Sequence, residues 1–578
     1  MCLALVVSAA CASHPPEPTA APARASAVDP VGEDAAAPLV VVSIVGTNDW
    51  HGALARLPIL AGYVANLREA RRGDGAVLLV DAGDMFQGTL ESNLNEGAAM
   101  VAAYNAMGYA AAALGNHEFD FGPVGPAATP RADGHGPERD PRGALRARLA
   151  EARFPMLAAN LVDAAVGARV SWPNAPAAVM VNAAGVDVGI VGVLTEDTPH
   201  ATMPANFVGL AISPLAAAIE REARDLREHG AAVIVVSAHA GGRCQDLDDP
   251  ADLSSCAPDE EIMAVAEALP PGLVDVIVAG HTHQAMAQRV NGIAIIESYA
   301  RGRAFGRVDL VVDVEAGEVR ETHIFAPRDL CPGDPAAAVA ACAPGRYEGR
   351  PVEADPALAA VIADALAAAR AQREAPLGVD IGAPVTRSYS HESALGNLFA
   401  DLMRVARPAD VAITNGGGLR ADLAPGPLTY GALYEAMPFD NRFARVRLSG
   451  ATLERLIAIN LGATNGIWSL SGLRARVRCD GDTLEVSLAR ADGTQVADDE
   501  MITLVTSDFL ATGGDPGFDR LREELAGVDV ELDGETIRDA VAAVLRSRGG
   551  ALTGADPALF DANARRLLYP GERPVTCP

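Results

Sequence analysis

The sequence has no long hydrophobic run and few positive charges. No stretch of about 18 consecutive apolar residues occurs in its 578 residues, which excludes a membrane-spanning helix. Lys and Arg total 46 against 75 Asp and Glu, for a formal net charge of −29. A chain this acidic repels a polyphosphate backbone, so we do not expect a nucleic-acid polymer as partner. An anionic small substrate would need local cations, either metal ions or a few arginines.

The N-terminus resembles a bacterial export signal. Leu3–Ala10 is a short apolar run, Cys11 follows small residues, and a Pro/Ala-rich stretch continues to about residue 38. We interpret residues 1–11 as the signal and residues 12–38 as a tether, which predicts an exported, periplasmic or cell-surface protein. Two alternatives stay open: a lipid anchor at Cys11, which would be the protein's only membrane attachment, or a cleaved signal.

Cysteine is scarce as well. The chain has eight cysteines, and none of them stands in a Cys-x-x-Cys pair, so thiolate metal sites are not expected. Six of them follow the signal as two close pairs and one distant pair, and an even number in an exported chain favours disulfides. We therefore hypothesise the bonds Cys244–Cys256, Cys331–Cys342 and Cys479–Cys577.

The order of apolar and helical segments predicts two α/β units, in line with a chain too long for one compact core. Residues 39–330 alternate helical stretches such as Pro58–Arg72 and Leu215–His229 with apolar runs typical of strands buried on both faces. These predicted strands are Leu39–Val45, Val77–Val80, Ala111–Leu114, Val188–Val193, Val233–Ser237, Val274–Ala279 and Ile293–Ile296. Residues 331–378 form a boundary with a connector helix at Pro356–Arg373, and residues 379–578 form the second, smaller unit.

Polar residues follow the apolar runs at the points where the predicted strands end. Because ligands gather at the carboxyl ends of strands in open α/β sheets, five strand ends should deliver seven side chains to one edge. Those side chains belong to Asp49, His51, Asp84, Asn116, His239, His281 and His283. Any one of these could be a hydrogen-bonded core residue, but with His117, which follows Asn116, five of the 11 histidines would then lie at or just after strand ends by accident.

The chemistry of this set indicates a pair of metal ions. Carboxylate, imidazole and amide ligands without thiolate suit divalent Zn, Mn or Co. Seven ligands are too many for one tetrahedral ion, but they suit two ions about 3.5–4 Å apart that share a carboxylate and hold a water or hydroxide between them. Such a pair activates a nucleophile and neutralises charge on a phosphate ester.

Several motifs resemble the 5′-nucleotidase family of calcineurin-like metallophosphoesterases. In the first half these are Thr47–Gly52, Gly83–Gly88, Gly115–Glu118, His239 and Gly280–His283. In the second half they are Asn415–Arg420, Pro438–Asn441 and Asp508–Asp515. The resemblance implies a four-layer αββα metallophosphoesterase sandwich followed by a smaller α/β substrate-binding domain.

The same resemblance implies roles for individual residues. The first ion would be held by Asp49, His51, Asp84 and His283, and the second by Asp84, Asn116, His239 and His281. His117 would act on the phosphate, either stabilising the transition state or protonating the leaving oxygen, with Asp120 orienting it. Arg420 would pair with phosphate, Phe439 and Phe509 would enclose a nucleobase, and Asn415, Asn441 and Asp515 would contact base or ribose.

One position departs from the family pattern. The block Ser390–Asn397 carries His391 where the family usually has Arg, and Arg387 is the nearby residue that could substitute. The implied function is hydrolysis of nucleoside 5′-monophosphates to nucleoside and phosphate. The alternatives are a UDP-sugar or 2′,3′-cyclic nucleotide hydrolase of the same family, or a non-catalytic surface protein that binds nucleotides or metal.

Overall fold

The computed structural model describes residues 39–125, 140–335, 338–514, 516–520, 530–552 and 565–577. The predicted signal and tether, with Cys11, lie outside the described residues, and so does Asp515. Among the described helices, none combines the length and apolar composition that crossing a membrane requires.

Two six-stranded sheets form the N-terminal unit, and each has a parallel centre. In spatial order, the first sheet consists of Glu318–Asp329, Ala304–Asp313, Leu39–Thr47, Gly75–Asp81, Ala111–Ala113 and Met156–Leu157. The second consists of Ala285–Val290, Ile293–Ser298, Val276–Ala279, Val233–His239, Val186–Leu194 and Ala178–Ala183. All seven strands predicted in this region are present.

The two sheets pack face to face and helices cover their outer surfaces. Val42 and Ile44 of the first sheet share a fully buried core with Ile190 and Val235 of the second. The first sheet is covered on its other side by Leu57–Ala70 and Ala98–Met107, and the second by Leu215–Glu228 and Glu261–Ala268. Burial on both faces explains the absence of polar alternation in the strands. The predicted four-layer αββα sandwich is confirmed.

The C-terminal unit is a second α/β structure. Its central sheet, in spatial order, consists of Trp468–Ser471, Val411–Asn415, Met501–Ser507, Arg442–Ser449 and Val530–Thr536. Two three-stranded sheets flank it, one of Gly426–Thr429, Pro376–Ile381 and Gly550–Leu552, the other of Thr483–Arg490, Leu473–Asp480 and Leu567–Leu568. The main helices are Ala394–Ala406, Tyr430–Ala436, Gly450–Leu461 and Ile537–Arg548. Each begins after a Ser or Thr whose oxygen accepts a backbone N–H of the first turn, namely Ser393, Thr429, Ser449 and Thr536.

The predicted connector helix, Pro356–Arg373, belongs to both halves of the molecule. Asp355 caps its first turn, and Leu358 and Ile362 pack into the N-terminal core. Ala369 lies in the C-terminal core, and Arg373 forms a 2.7 Å ion pair with Glu91 of the N-terminal unit. The helix therefore fixes the two units against each other.

The three hypothesised disulfides, Cys244–Cys256, Cys331–Cys342 and Cys479–Cys577, are present. The first two close short loops of the N-terminal unit, and the third joins a strand of the C-terminal unit to the end of the chain. Cys331 is almost fully buried in the N-terminal core, so this part of the predicted boundary packs with the first unit.

Candidate functional site

The predicted ligands follow the strand ends in unusual backbone conformations. Positive φ angles, a region that residues other than glycine rarely adopt, occur at Asp49 (50°), His51 (47°), Asp84 (57°), His281 (78°) and His283 (58°). Backbone hydrogen bonds hold these turns, including Asp49 N to Gly83 O at 3.0 Å and His51 N to Asp84 O at 2.9 Å. Strained backbone of this kind clusters at functional sites because the surrounding structure must enforce it.

One group of ligands gathers around Asp49. The Nε2 atoms of His51 and His283 lie 2.8 Å apart, and Asp49 Oδ1 is 3.4 Å from His283 Nε2 and 3.9 Å from His51 Nε2. Asp49 Oδ1 is buried and has no hydrogen-bond partner among the described residues. A buried carboxylate oxygen without a donor is costly, and a cation at this point would satisfy it.

A second group gathers around Asn116. Its Oδ1 lies 2.9 Å from His239 Nε2 and 3.1 Å from His281 Nδ1. Asp84 Oδ2 stands between the two groups, 3.3 Å from His239 Nε2 and 3.8 Å from His51 Nε2. The carboxylate predicted to be shared is therefore the one that the structure places between both sets.

The remaining polar atoms of these side chains are already engaged. His51 Nδ1 and His239 Nδ1 each lie 2.8 Å from a backbone carbonyl, those of Gln87 and Ala82. Asn116 Nδ2 donates to Ala201 O at 2.8 Å, which turns its oxygen toward the imidazoles. These contacts leave Nε2 of both histidines and the amide oxygen directed inward, as metal ligands require. The nitrogen and oxygen donor set fits divalent Zn, Mn or Co.

The protonation tendencies of the imidazoles agree with cation binding. Burial lowers the pKa of His51 to about 3, and burial together with the charge of His239 lowers that of His281 to about 4, so both rings are neutral. Burial opposes charge on His239, but the nearby Asp84 carboxylate raises its pKa to about 10. A cation bound there would take the place of that proton, because metal ligation releases protons from ligands.

Two buried glutamates, for which the sequence predicted no role, accept hydrogen bonds from the loops that carry the candidate ligands. Glu118 accepts the backbone N–H of Asp84 at 2.9 Å and of Gly115 at 2.6 Å. Glu297 accepts the Thr282 hydroxyl at 2.6 Å, between the two ligands of the His-x-His segment. Glu118 is the last residue of the motif Gly115–Glu118, but nothing in the spacing of that motif indicates a supporting role. Glu297 lies within the strand Ile293–Ser298, where no sequence motif marks it.

The side chains of His117 and Asp120 are in contact. His117 Nδ1 lies 2.5 Å from Asp120 Oδ2, while Asp120 Oδ1 accepts the Thr202 hydroxyl at 3.0 Å and the Met203 N–H at 3.2 Å. Burial opposes charge on His117, but Asp120 and Asp84 raise its pKa to about 9. His117 Nε2 therefore remains available to a molecule in the adjoining cavity.

Two adjoining cavities connect the ligands with the C-terminal unit. One, of about 240 Å³, is lined by His51, His117 and His283 on one side and by Arg420, Phe439, Asn441 and Phe509 on the other. The second, of about 290 Å³, shares those last four residues and adds Asn415, Tyr389 and Gly417. The Arg420 guanidinium lies 5.4 Å from the centre of the Phe439 ring, and Gly514 lies directly against the Phe509 ring.

Three positions named from the sequence stand apart from this arrangement. Arg387 is exposed and lines neither cavity, although its charge, after burial and Arg301, helps to lower the pKa of Arg420. His391 is exposed, with Nδ1 2.8 Å from the Ser390 hydroxyl. Asp515 lies outside the described residues.

His200, Arg301 and Tyr389 line the cavities but were not predicted to do so. Arg301 follows the strand Ile293–Ser298, so the rule that identified the other strand-end residues could have found it. His200 and Tyr389 carry no comparable signal, since neither directly follows a strand.

Known proteins are similar to both halves of the chain. Residues 361–523 match the family model described as 5′-nucleotidase, C-terminal domain. Endonuclease YhcR of Bacillus subtilis is 28% identical over 476 residues, which cover 81% of this chain and 35% of that protein, so this chain spans about a third of its length. Protein UshA of Yersinia enterocolitica is 24% identical over 509 residues, which cover 82% of this chain and 86% of that protein.

The fold has a close counterpart among solved structures. The crystal structure of a 5′-nucleotidase precursor from Thermus thermophilus has a TM-score of 0.61 at 23% identity, covering 91% of this chain and 99% of that one. At that identity the likeness shows the fold alone. The chain therefore shares the fold of that 5′-nucleotidase precursor, is similar over most of its length to Endonuclease YhcR and Protein UshA, and matches a 5′-nucleotidase C-terminal domain over residues 361–523.

Proposed function

We propose that this protein hydrolyses nucleoside 5′-monophosphates to nucleoside and phosphate, outside the cytoplasm and with two divalent metal ions. The observation that supports the proposal best is the pair of cavities sharing Arg420, Phe439, Asn441 and Phe509. One of these cavities reaches the candidate ligands and the other is lined by flat aromatic and amide side chains. A nucleotide matches these two cavities, with its phosphate beside the candidate ligands and its base between the aromatic and amide side chains.

The residues present fit two cations. Asp49, His51, Asp84 and His283 would hold one, and Asp84, Asn116, His239 and His281 the other. When bound, such a pair supplies a nucleophile at neutral pH and neutralises charge on the phosphoryl group. Zn, Mn and Co all suit these ligands. The chain's own contribution is to hold the seven side chains in place through the left-handed turns and the loop contacts of Glu118 and Glu297.

His117 would supply the proton that the leaving group needs. With Nδ1 bound to Asp120, its Nε2 would donate to the departing 5′ oxygen or to a phosphoryl oxygen. Asp120 fixes the ring because its other oxygen is held by Thr202 and Met203. Arg420 would bind the phosphoryl group through its planar fork.

The nucleoside would occupy the C-terminal cavity. Phe439 and Phe509 both line it, and we propose that they stack on the base while Asn415, Asn441 and Asp515 contact base or ribose. Arg387 would assist by adding positive charge near Arg420. Residues 39–330 would then act as the metal-bearing domain and residues 379–578 as the nucleotide-binding domain.

We also propose a periplasmic or cell-surface location, with residues 1–11 as the export signal and Cys11 as the candidate lipid attachment point. Three disulfides support it, since such bonds persist in oxidising compartments.

A substrate panel tests the proposed function. Purified protein supplied with Mn, Zn or Co should release phosphate from AMP and other nucleoside 5′-monophosphates, and excess chelator should abolish release. Cleavage of UDP-sugars or 2′,3′-cyclic nucleotides without release of phosphate from AMP would overturn the proposed substrate. Metal and nucleotide binding without any turnover would instead identify a non-catalytic binding protein.

A further inference from the structure

We propose that Arg301, from the metal-bearing half of the chain, forms a cation pair with Arg420 that binds a second phosphoryl group of the substrate. This inference rests on the proposed function and extends it to substrates with two phosphoryl groups, such as nucleoside diphosphates. Arg301 and Arg420 line the same cavity, one contributed by each unit.

The Arg301 loop is attached to the ligand loop. The Arg301 N–H donates to Asp49 O at 2.7 Å, and Tyr299 O accepts Asn48 Nδ2 at 2.6 Å. Arg301 and Tyr299 both have left-handed backbone, with φ of 56° and 59°. These contacts hold the backbone of the Arg301 loop in position relative to the metal ligands, and the exposed Arg301 side chain lines the cavity from this loop.

The guanidinium groups of Arg301 and Arg420 have no hydrogen bond or ion pair to any described residue. The carboxylates that line the same cavity are engaged elsewhere, since Asp120 contacts His117 and Thr202, and Asp440 contacts Arg538 and Asn93. Burial and the charges of Arg301 and Arg387 lower the pKa of Arg420. The cavity thus holds positive charge that the protein itself does not neutralise.

A monophosphate does not account for this charge. Its phosphoryl group would lie at the two metal ions, which would neutralise most of its charge, and the planar fork of Arg420 would orient it. A second phosphoryl group between the ligands and the base cavity would place its oxygens against both arginines. In a chain with a net charge of −29, local cations of this kind are needed to hold a polyanion.

Arg303 provides a matched control two residues away. Its guanidinium is engaged, at 3.4 Å from Asp329 Oδ1 and 3.5 Å from the centre of the Tyr299 ring, and it does not line the cavity. Gly302, between Arg301 and Arg303, packs against the Trp50 ring. Substitutions at Arg301 and Arg303 therefore affect the same packed segment.

The test compares AMP with ADP in wild type, Arg301→Gln, Arg301→Lys and Arg303→Gln. We expect Arg301→Gln to lower kcat/KM for ADP about tenfold more than for AMP, mainly through KM, with partial retention in Arg301→Lys. Arg303→Gln should leave the ratio unchanged. A non-hydrolysable methylene analogue of ADP, measured by calorimetry, should bind Arg301→Gln about tenfold more weakly than wild type.

The outcomes separate this inference from the proposed function. If Arg301→Gln lowers kcat/KM equally for AMP and ADP, or does not lower it, the second-phosphoryl site is overturned. AMP hydrolysis by wild type would still support the proposed nucleotidase activity. If wild type hydrolyses neither nucleotide, the proposed function fails, and the calorimetric comparison still decides the role of Arg301. Unchanged affinity for the methylene analogue would then refute it.

Discussion

The Nε2 atoms of His51 and His283 approach to 2.8 Å, although the two residues are 232 positions apart in the chain. Only one of two neutral imidazoles in such contact can donate a hydrogen to the other through these atoms. Both residues have left-handed backbone, so the contact is maintained against local strain. Under the proposed function, shared ligation of a cation by the two rings would explain why the fold retains this contact.

Removal of the shared carboxylate should release metal. We expect Asp84→Asn to reduce bound metal from about two ions per chain to fewer than one, because Asp84 Oδ2 lies between both ligand groups. Elemental analysis after dialysis against limiting chelator measures this content. The control is Asp225→Asn, at a half-exposed acid on an outer helix, which should keep the wild-type content. Equal metal content in the two variants would contradict the bimetallic site.

Loss of the His117 imidazole should slow chemistry without loss of metal. We expect His117→Ala to lower kcat for AMP by about 10²- to 10⁴-fold, the range typical of a positioned acid or base. Asp120→Asn should cost less, because His117 keeps its ring but loses the carboxylate at 2.5 Å.

Steady-state kinetics and elemental analysis of the same preparations check this prediction. His323→Ala, on an exposed edge strand, is the matched control and should behave as wild type. Undiminished turnover by His117→Ala would remove His117 from the reaction, and lost metal would assign it to the ligand set instead.

The aromatic pair should matter only for substrates that carry a base. We expect Phe439→Ala and Phe509→Ala each to raise KM for AMP about fivefold to tenfold, since stacking contributes about 1 kcal/mol or more per base. Ribose 5-phosphate, which has the sugar and phosphate but no base, should be hydrolysed equally by wild type and variants. A parallel loss with ribose 5-phosphate would show that the two rings support the fold or the phosphate site rather than the base.

Much of the candidate site could be predicted because most of its side chains belong to residues at or just after the ends of strands. The runs before Asp49, Asp84, Asn116 and His239 are continuous and apolar, so their ends could be located within about two residues, and the sheet rule then placed the side chains together. The disulfide pairing could also be predicted, because two of the three bonds join cysteines that are close in the sequence.

The features of the site that could not be predicted from the sequence depend on packing between distant segments. Arg301 follows the strand Ile293–Ser298, so its side of the sheet could have been predicted, but the bond from its N–H to Asp49 O, a contact across 252 positions, leaves no pattern in the sequence. Glu118 accepts backbone N–H groups, and Glu297 accepts the Gly242 N–H besides the Thr282 hydroxyl. Because almost every residue carries a backbone N–H, such roles leave no pattern in the sequence. The left-handed turns at the ligands occur at Asp and His, which adopt this conformation more often than most residues but still too rarely for the sequence to predict it.

Asp508 should make stability depend on pH. It is buried beside Phe509, its Oδ1 accepts the N–H groups of Arg442 at 3.0 Å and Phe509 at 2.8 Å, and burial raises its pKa to about 7. An unfolded Asp ionises near pH 4. Between about pH 4 and 7 the folded state therefore retains a proton that the unfolded state has lost, so stability falls as pH rises through this window and then levels off.

Asp508→Asn removes that titration while keeping a side-chain oxygen for the two N–H groups. We expect its melting temperature, relative to wild type, to rise from pH 4 to pH 7 and to stay constant above, because each pKa unit corresponds to about 1.4 kcal/mol. Melting is followed in chelator, so that metal binding does not contribute. Asp364→Asn, at an exposed helix position, should show no such trend. A difference between Asp508→Asn and wild type that is independent of pH would mean that Asp508 is ionised in the folded protein throughout this range.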